Sequence, residues 1–80
     1  MTATQEIREK AALFGWRGHA DQGRHAVLIR ADQMVDVAFT AGGSVLSATL
    51  YRFFSVNDLE ERARTADTHK KETVLAWLAN

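Results

Sequence analysis

The chain of 80 residues contains no cysteine. This rules out a disulfide framework and a thiolate metal site, and it suits a reducing compartment. No apolar run approaches the ~18 residues that a membrane span needs. The opening stretch, "MTATQEIREKAALFGW", lacks the basic segment and long apolar run of a signal peptide. The expected setting is therefore the cytoplasm, with no membrane partner. An excess of one charge is also missing, because ten Lys and Arg balance ten Asp and Glu. The signs are interspersed, with Arg8 beside Glu9, Arg62 beside Glu61 and Lys71 beside Glu72. Nucleic-acid affinity comes largely from neutralising phosphates, so this balance lowers the expectation of a nucleic-acid partner.

A catalytic constellation is missing as well. Ser44, Ser47 and Ser55 have no nucleophile-elbow context, and the acids stand next to bases in surface-like patterns. Gly42 and Gly43 are explained by turn geometry and form no phosphate-binding loop. With no acid, base and pocket assembled, the expectation is no enzyme and no cofactor. His19, Asp21 and His25 would offer nitrogen and oxygen ligands to zinc, but their spacing fits no helical or knuckle site. They read as polar turn residues, and no metal is expected.

What the chain does contain is enough apolar material to fold. Hydrophobic residues make up 46% and charged residues 25%, well away from a disordered composition. The length fits one domain, residues 1–80, of a size at which every core contact matters. From Thr4 to Phe14, Ile7, Ala11 and Phe14 recur at i, i+4 and i+7, and Gly15 is placed to end a helix. "GWRGH" suggests a short first strand, Ala26 to Arg30 a second and Met34 to Thr40 a third.

The stretch "VDVAFTAGGSVLSATLYRFF" predicts a hairpin whose register can be read. With Gly42 and Gly43 central in a type I′ turn, Phe39 faces Leu46, Val37 faces Ala48 and Val35 faces Leu50. The alternate set pairs Ala38 with Ser47, Asp36 with Thr49 and Met34 with Tyr51, so one face is greasy and one is mixed. Ser55 resembles the start of a capping box for a polar helical stretch, "NDLEERARTA". "DTHKKE" then opens a last helix with Val74, Leu75 and Leu78 on one side and Trp77 at its rim. Residues 56–79 could be one bent helix or two. The predicted class is α+β: an N-terminal helix, a three- to four-stranded antiparallel meander and a C-terminal helix or two, with the helices packed on one sheet face. Phe39, Leu46, Val37, Ala48, Val35 and Leu50 are expected under Ile7, Phe14, Leu75 and Leu78.

The uncovered sheet face would present Met34, Asp36, Thr49 and Tyr51. A tyrosine and a methionine among small polar groups suit the centre of an interface. The expected function is accordingly a non-catalytic module that binds a protein through these residues. Self-association through this face or the Trp77 rim is its simplest form, because a small domain gains stability by dimerising. The alternative is an anion or nucleic-acid site at His69, Lys70 and Lys71, where a helix N-terminus exposes unpaired amides beside cationic side chains.

The order helix, sheet, helix, with Lys70 and Lys71 opening the last helix, resembles the double-stranded-RNA-binding domain. The resemblance covers the topology of most of the chain and only those two lysines as a motif. It implies that they would grip phosphates across a groove. The chain differs from that family in the polar stretch between sheet and last helix, and in ending "VLAWLAN" in place of an alanine-rich helix. A second resemblance is compositional. Arginine outnumbers lysine and alanine is abundant, which looks like the short accessory proteins of actinobacterial phages. It would imply action on a host or phage component.

Overall fold

The computed structural model describes residues 2–21, 24–55 and 57–80, with the side chains of His19, Ala20 and Asp21 left outside that description. Among these residues seven elements follow in order: α1 (Ala3–Leu13), β1 (Arg17–Asp21), β2 (His25–Arg30), β3 (Gln33–Phe39), β4 (Val45–Ser55), β5 (Asp58–Arg64) and α2 (Lys70–Ala79). The five strands form one antiparallel meander in the order β1-β2-β3-β4-β5, and both helices lie on one of its faces.

Local chemistry sets both ends of α1. The Thr2 hydroxyl accepts from the Gln5 backbone N–H at 3.2 Å, and the Gln5 side chain accepts from the Thr2 N–H at 3.0 Å, a reciprocal capping box. At the other end Gly15 adopts φ +82°, its N–H donates to Ala12 O, and the Trp16 N–H donates to Ala11 O at 2.9 Å. This Schellman closure needs the left-handed conformation that glycine adopts without strain, and it turns Trp16 back onto the core.

The core gathers Ile7 and Ala11 from α1, Val74 and Leu78 from α2, and Trp16, Ala26, Leu28, Val35, Val37, Phe39, Val45 and Ala48 from the sheet side. Leu50, Leu75 and Trp77 pack against it while half-buried. The i, i+4 spacing of the buried residues on each helix leaves one narrow stripe to cover, which a single sheet face accomplishes.

Arg30, at the end of β2, holds the C-terminal ends of both helices. Its guanidinium donates to the Phe14 carbonyl beyond α1 at 3.1 Å, and to Leu78 O at 3.4 Å and Asn80 O at the end of α2. It also lies over the Trp16 ring at 4.5 Å, whose indole N–H donates to Leu78 O at 2.9 Å. Near the other end, Lys71 pairs with Glu6 at 2.9 Å. The helices therefore run side by side in the same direction, and one cation answers the negative ends of both dipoles.

Three expectations are corrected. Residues Asp58–Arg64 form a strand, not a helical stretch, so the sheet has five strands and a single helix, Lys70–Ala79, closes the chain. Nearly every side chain of β5 is exposed, as suits an edge strand, and it is blunted by charges and by register shifts at both ends. Its residues, Leu, Glu, Arg and Ala, are good helix formers, and strand pairing with β4 overrides that preference.

The hairpin is the second correction. Gly43 N–H donates to Thr40 O at 3.0 Å and Thr40 N–H to Ser44 O at 2.8 Å, with Gly43 at φ +87°, so the loop has three residues rather than two. Phe39 consequently pairs with Val45, which is 8% exposed, while Leu46 points out at 54%. A register shift between Ala38 and Phe39 then restores the predicted Val37–Ala48 and Val35–Leu50 pairs. Gly43 O also accepts from Thr4 N–H at 3.1 Å, and a Cβ on Gly43 would lie 3.2 Å from Thr2 Cβ. Third, Phe14 is not core: it sits 38% exposed past the end of α1, under the ammonium of Lys10.

Candidate functional site

Alternation along the strands places every other residue on the face that the helices leave uncovered. The ladder aligns Arg17, Ile29, Met34, Tyr51 and Glu61 in one row across all five strands. The next row holds Val27, Asp36, Thr49 and Arg64. Phe53 pairs with Leu59 at the far end of β4 and β5. Met34, Asp36, Thr49 and Tyr51, the residues singled out from the hairpin register, are therefore brought together, each half-buried by its neighbours. Val27, Ile29 and Phe53 are half-buried on the same face, and Leu59 is 42% exposed. The result is an apolar strip across β2 to β5 with charged groups around it.

The charges are locally paired. Arg64 reaches Glu61 at 2.8 Å through both Nε and Nη2. On β2, His25 Nε2 meets Asp36 Oδ1, an ion pair when the imidazole is protonated. That oxygen is shielded from solvent and has no hydrogen bond of ordinary geometry, so His25 is its nearest compensation. His25 thus belongs to the open face. His19 and Asp21, its companions in the candidate metal cluster, have side chains outside the described residues. Among the described residues, no three His, Cys, Asp or Glu side chains are placed to hold a metal ion.

The other named residues lie elsewhere. Trp77 is on α2, on the opposite side of the sheet, half-buried against the core, so the fold does not join it to Met34 and Tyr51. His69 precedes α2 in a left-handed conformation with no side-chain cap hydrogen bond. Lys70 and Lys71 line a cleft of about 370 Å³ with Gly42, Gly43, Glu6 and Glu72. Hydrogen bonding to Glu6, and then its charge, hold the Lys71 ammonium above the ordinary lysine value of 10.5. Lys71 is thus already matched by a carboxylate, and Glu72 adds a second acid beside it. A larger cleft, about 420 Å³, is lined by Leu50, Tyr51 and Ala63 and edged by Asp32, Gln33, Arg52 and Arg62. There Arg52 stacks on Phe54 at 4.9 Å and lies 3.6 Å from Asp32.

Sequence reasoning missed Val27, Ile29, Phe53, Leu59 and the Arg17 and Glu61 ends of the first row. A usable signal existed for two of them. Ala31 and Asp32 alone connect β2 to β3, so extending the register from Arg30 opposite Gln33 puts Ile29 beside Met34 and Val27 beside Asp36. The run "HAVLIRA" hid this, because its apolar residues are consecutive.

Comparison with family models, with curated proteins and with solved structures finds no match for this chain. Among the described residues, no helix is long and apolar enough to cross a membrane.

Proposed function

We propose that the chain is a non-catalytic interaction module that binds a protein through the open face of its sheet. The observation that carries this reading is the apolar strip of Ile29, Met34, Tyr51 and Phe53, held in register by the ladder and left uncovered while the helices occupy the other face. Aromatic and methionine side chains on a rigid, flat support lose little conformational freedom on binding and expel water over a wide area. The polar groups around the strip, Asp36, Thr49, Glu61 and Arg64, would fix orientation rather than supply most of the affinity. On the compositional resemblance given above, the partner would be a host or phage component in the cytoplasm.

The nucleic-acid reading at His69, Lys70 and Lys71 draws less support. Glu6 occupies Lys71, Glu72 stands beside it, and no basic excess surrounds the pair. Capture from extract of the native cell tests the choice. The parent and the Lys70→Glu/Lys71→Glu variant are expected to retain the same protein, and Met34→Ala/Tyr51→Ala to lose it. Recovery of nucleic acid alone, lost with the lysine changes, would overturn the proposal.

A further inference from the structure

Resting on the reading of the open face as a protein-binding surface, we infer that its occupant is a second copy of this chain, stacked face to face about a two-fold axis running along β3. Three features of the face point to this arrangement.

The first is the order of side chains in the row that crosses the sheet. Arg17 on β1 and Glu61 on β5 close the two ends of an apolar run, Ile29, Met34 and Tyr51. A two-fold along β3 lays β1 of each copy over β5 of the other. Each Arg17 then faces Glu61 of the second copy, Ile29 faces Tyr51 and Met34 meets its own counterpart. A two-fold along the row would instead set Arg17 on Arg17 and Glu61 on Glu61, so the charges favour the axis along β3 over that one. Glu61, already held by Arg64 at 2.8 Å, is positioned to be shared between that residue and the incoming guanidinium.

Extent is the second feature. Five strands about 4.8 Å apart, with about seven residues rising ~3.4 Å each, give a face of roughly 24 by 24 Å. That is of the same order as the ~800 Å² per partner of a standard interface. Stacked sheets interdigitate their facing side chains about 10 Å apart, which suits half-buried Val27, Ile29, Met34, Tyr51 and Phe53.

The third feature is compensation near the axis. Asp36 shares β3 with Met34 and would approach its own counterpart, an arrangement that two bare carboxylates resist. In each copy His25 Nε2 already meets the shielded Asp36 oxygen.

Sedimentation equilibrium of the purified chain, between about 1 and 500 μM, tests this. The parent is expected to dimerise. Arg17→Glu alone and Glu61→Lys alone should each weaken dimerisation by roughly tenfold or more, since each places like charges across both symmetric contacts. An equimolar mixture of the two variants should dimerise again, because the swapped ends match in the mixed pair. A parent that stays monomeric throughout overturns the second-copy inference. So does a dimer that both charge variants leave intact, or a mixture that stays monomeric. Failure of the underlying reading looks different: the parent dimerises, and Met34→Ala/Tyr51→Ala neither dissociates it nor loses a protein captured from native extract. Circular dichroism of each variant confirms that it is folded.

Discussion

The two faces of the same five strands set their side chains in different surroundings. On the covered face, Val35, Val37, Phe39 and Ala48 are buried under Ile7, Ala11, Val74 and Leu78. On the open face, Met34, Asp36, Thr49 and Tyr51 alternate with them residue for residue yet are only half-buried. Since neighbours on one strand share backbone and pairing, the difference is purely one of what covers them. Substitutions on the covered face should therefore act on folding, while those on the open face, on the proposed reading, should act on binding. A small domain has only about 5 to 15 kcal/mol of stability in total, so the contrast should be large enough to measure.

The largest effect is expected at Phe39, which is almost fully buried. Phe39→Ala should cost roughly 3 to 5 kcal/mol in chemical or thermal unfolding, through lost transfer energy and the cavity left behind. Leu50→Ala, on the same face but only half-buried against the core, should fall near the lower end of the 2 to 5 kcal/mol range for such truncations. A Leu50 variant melting below the Phe39 variant would mean that the covered face extends further than described.

Next is Arg30, which acts on the two helix ends. Arg30→Ala should lower stability by about 1 to 2 kcal/mol, by removing carbonyl hydrogen bonds and the stack on Trp16. Arg30→Lys should recover only part of this, because an ammonium cannot fork between Phe14 and the end of α2. Hydrogen exchange should then rise first in the last turns of both helices.

Legibility in the sequence follows the same division. The β3–β4 pairing could be read because burial on one face forces a strict alternation, and a slip by one residue would have mixed Val37 with polar groups. That signal failed near the loop: a third loop residue and the register shift at Phe39 exchange Val45 for Leu46, and neither leaves a hydrophobic mismatch strong enough to see. It failed altogether in β5, whose side chains, Ala63 apart, are exposed on both faces. With no buried alternation, "DLEERAR" keeps only its helix-favouring composition. The same limit applied to the candidate site. Residues of the hairpin were placed correctly on one face, whereas the ends of the row, Arg17 and Glu61, depended on two outer ladders that the sequence did not specify. Arg30 carried no readable pattern, since apart from Gln33 its partners, the Trp16 ring and the carbonyls of Phe14, Leu78 and Asn80, lie 14 or more residues away in the chain.

On the open face the expected pattern reverses. At concentrations where the chain is monomeric, Met34→Ala and Tyr51→Ala should each change stability by less than about 1 kcal/mol, the range of a single cross-strand pair, as checked by thermal unfolding. The smallest effect belongs to the half-buried Glu6–Lys71 pair. Lys71 holds its proton more tightly when folded, so the pair adds stability below the ordinary lysine value of 10.5 and loses it as pH rises past that value. The parent and Lys71→Met should accordingly converge in melting temperature in strongly alkaline buffer. A gap that widens there would contradict the pairing.

The central claim is that recognition lies on the open face and depends on apolar burial. It is tested most directly by measuring partner affinity, whether the partner is a second copy or another protein, for Met34→Ala/Tyr51→Ala and for Lys70→Glu/Lys71→Glu at low and moderate salt. The account predicts that the first variant loses about 1 kcal/mol or more at both salt concentrations, because apolar contact is barely screened, and that the second matches the parent. A silent first variant, together with a second whose defect is strong at low salt and fades as salt is added, would contradict it.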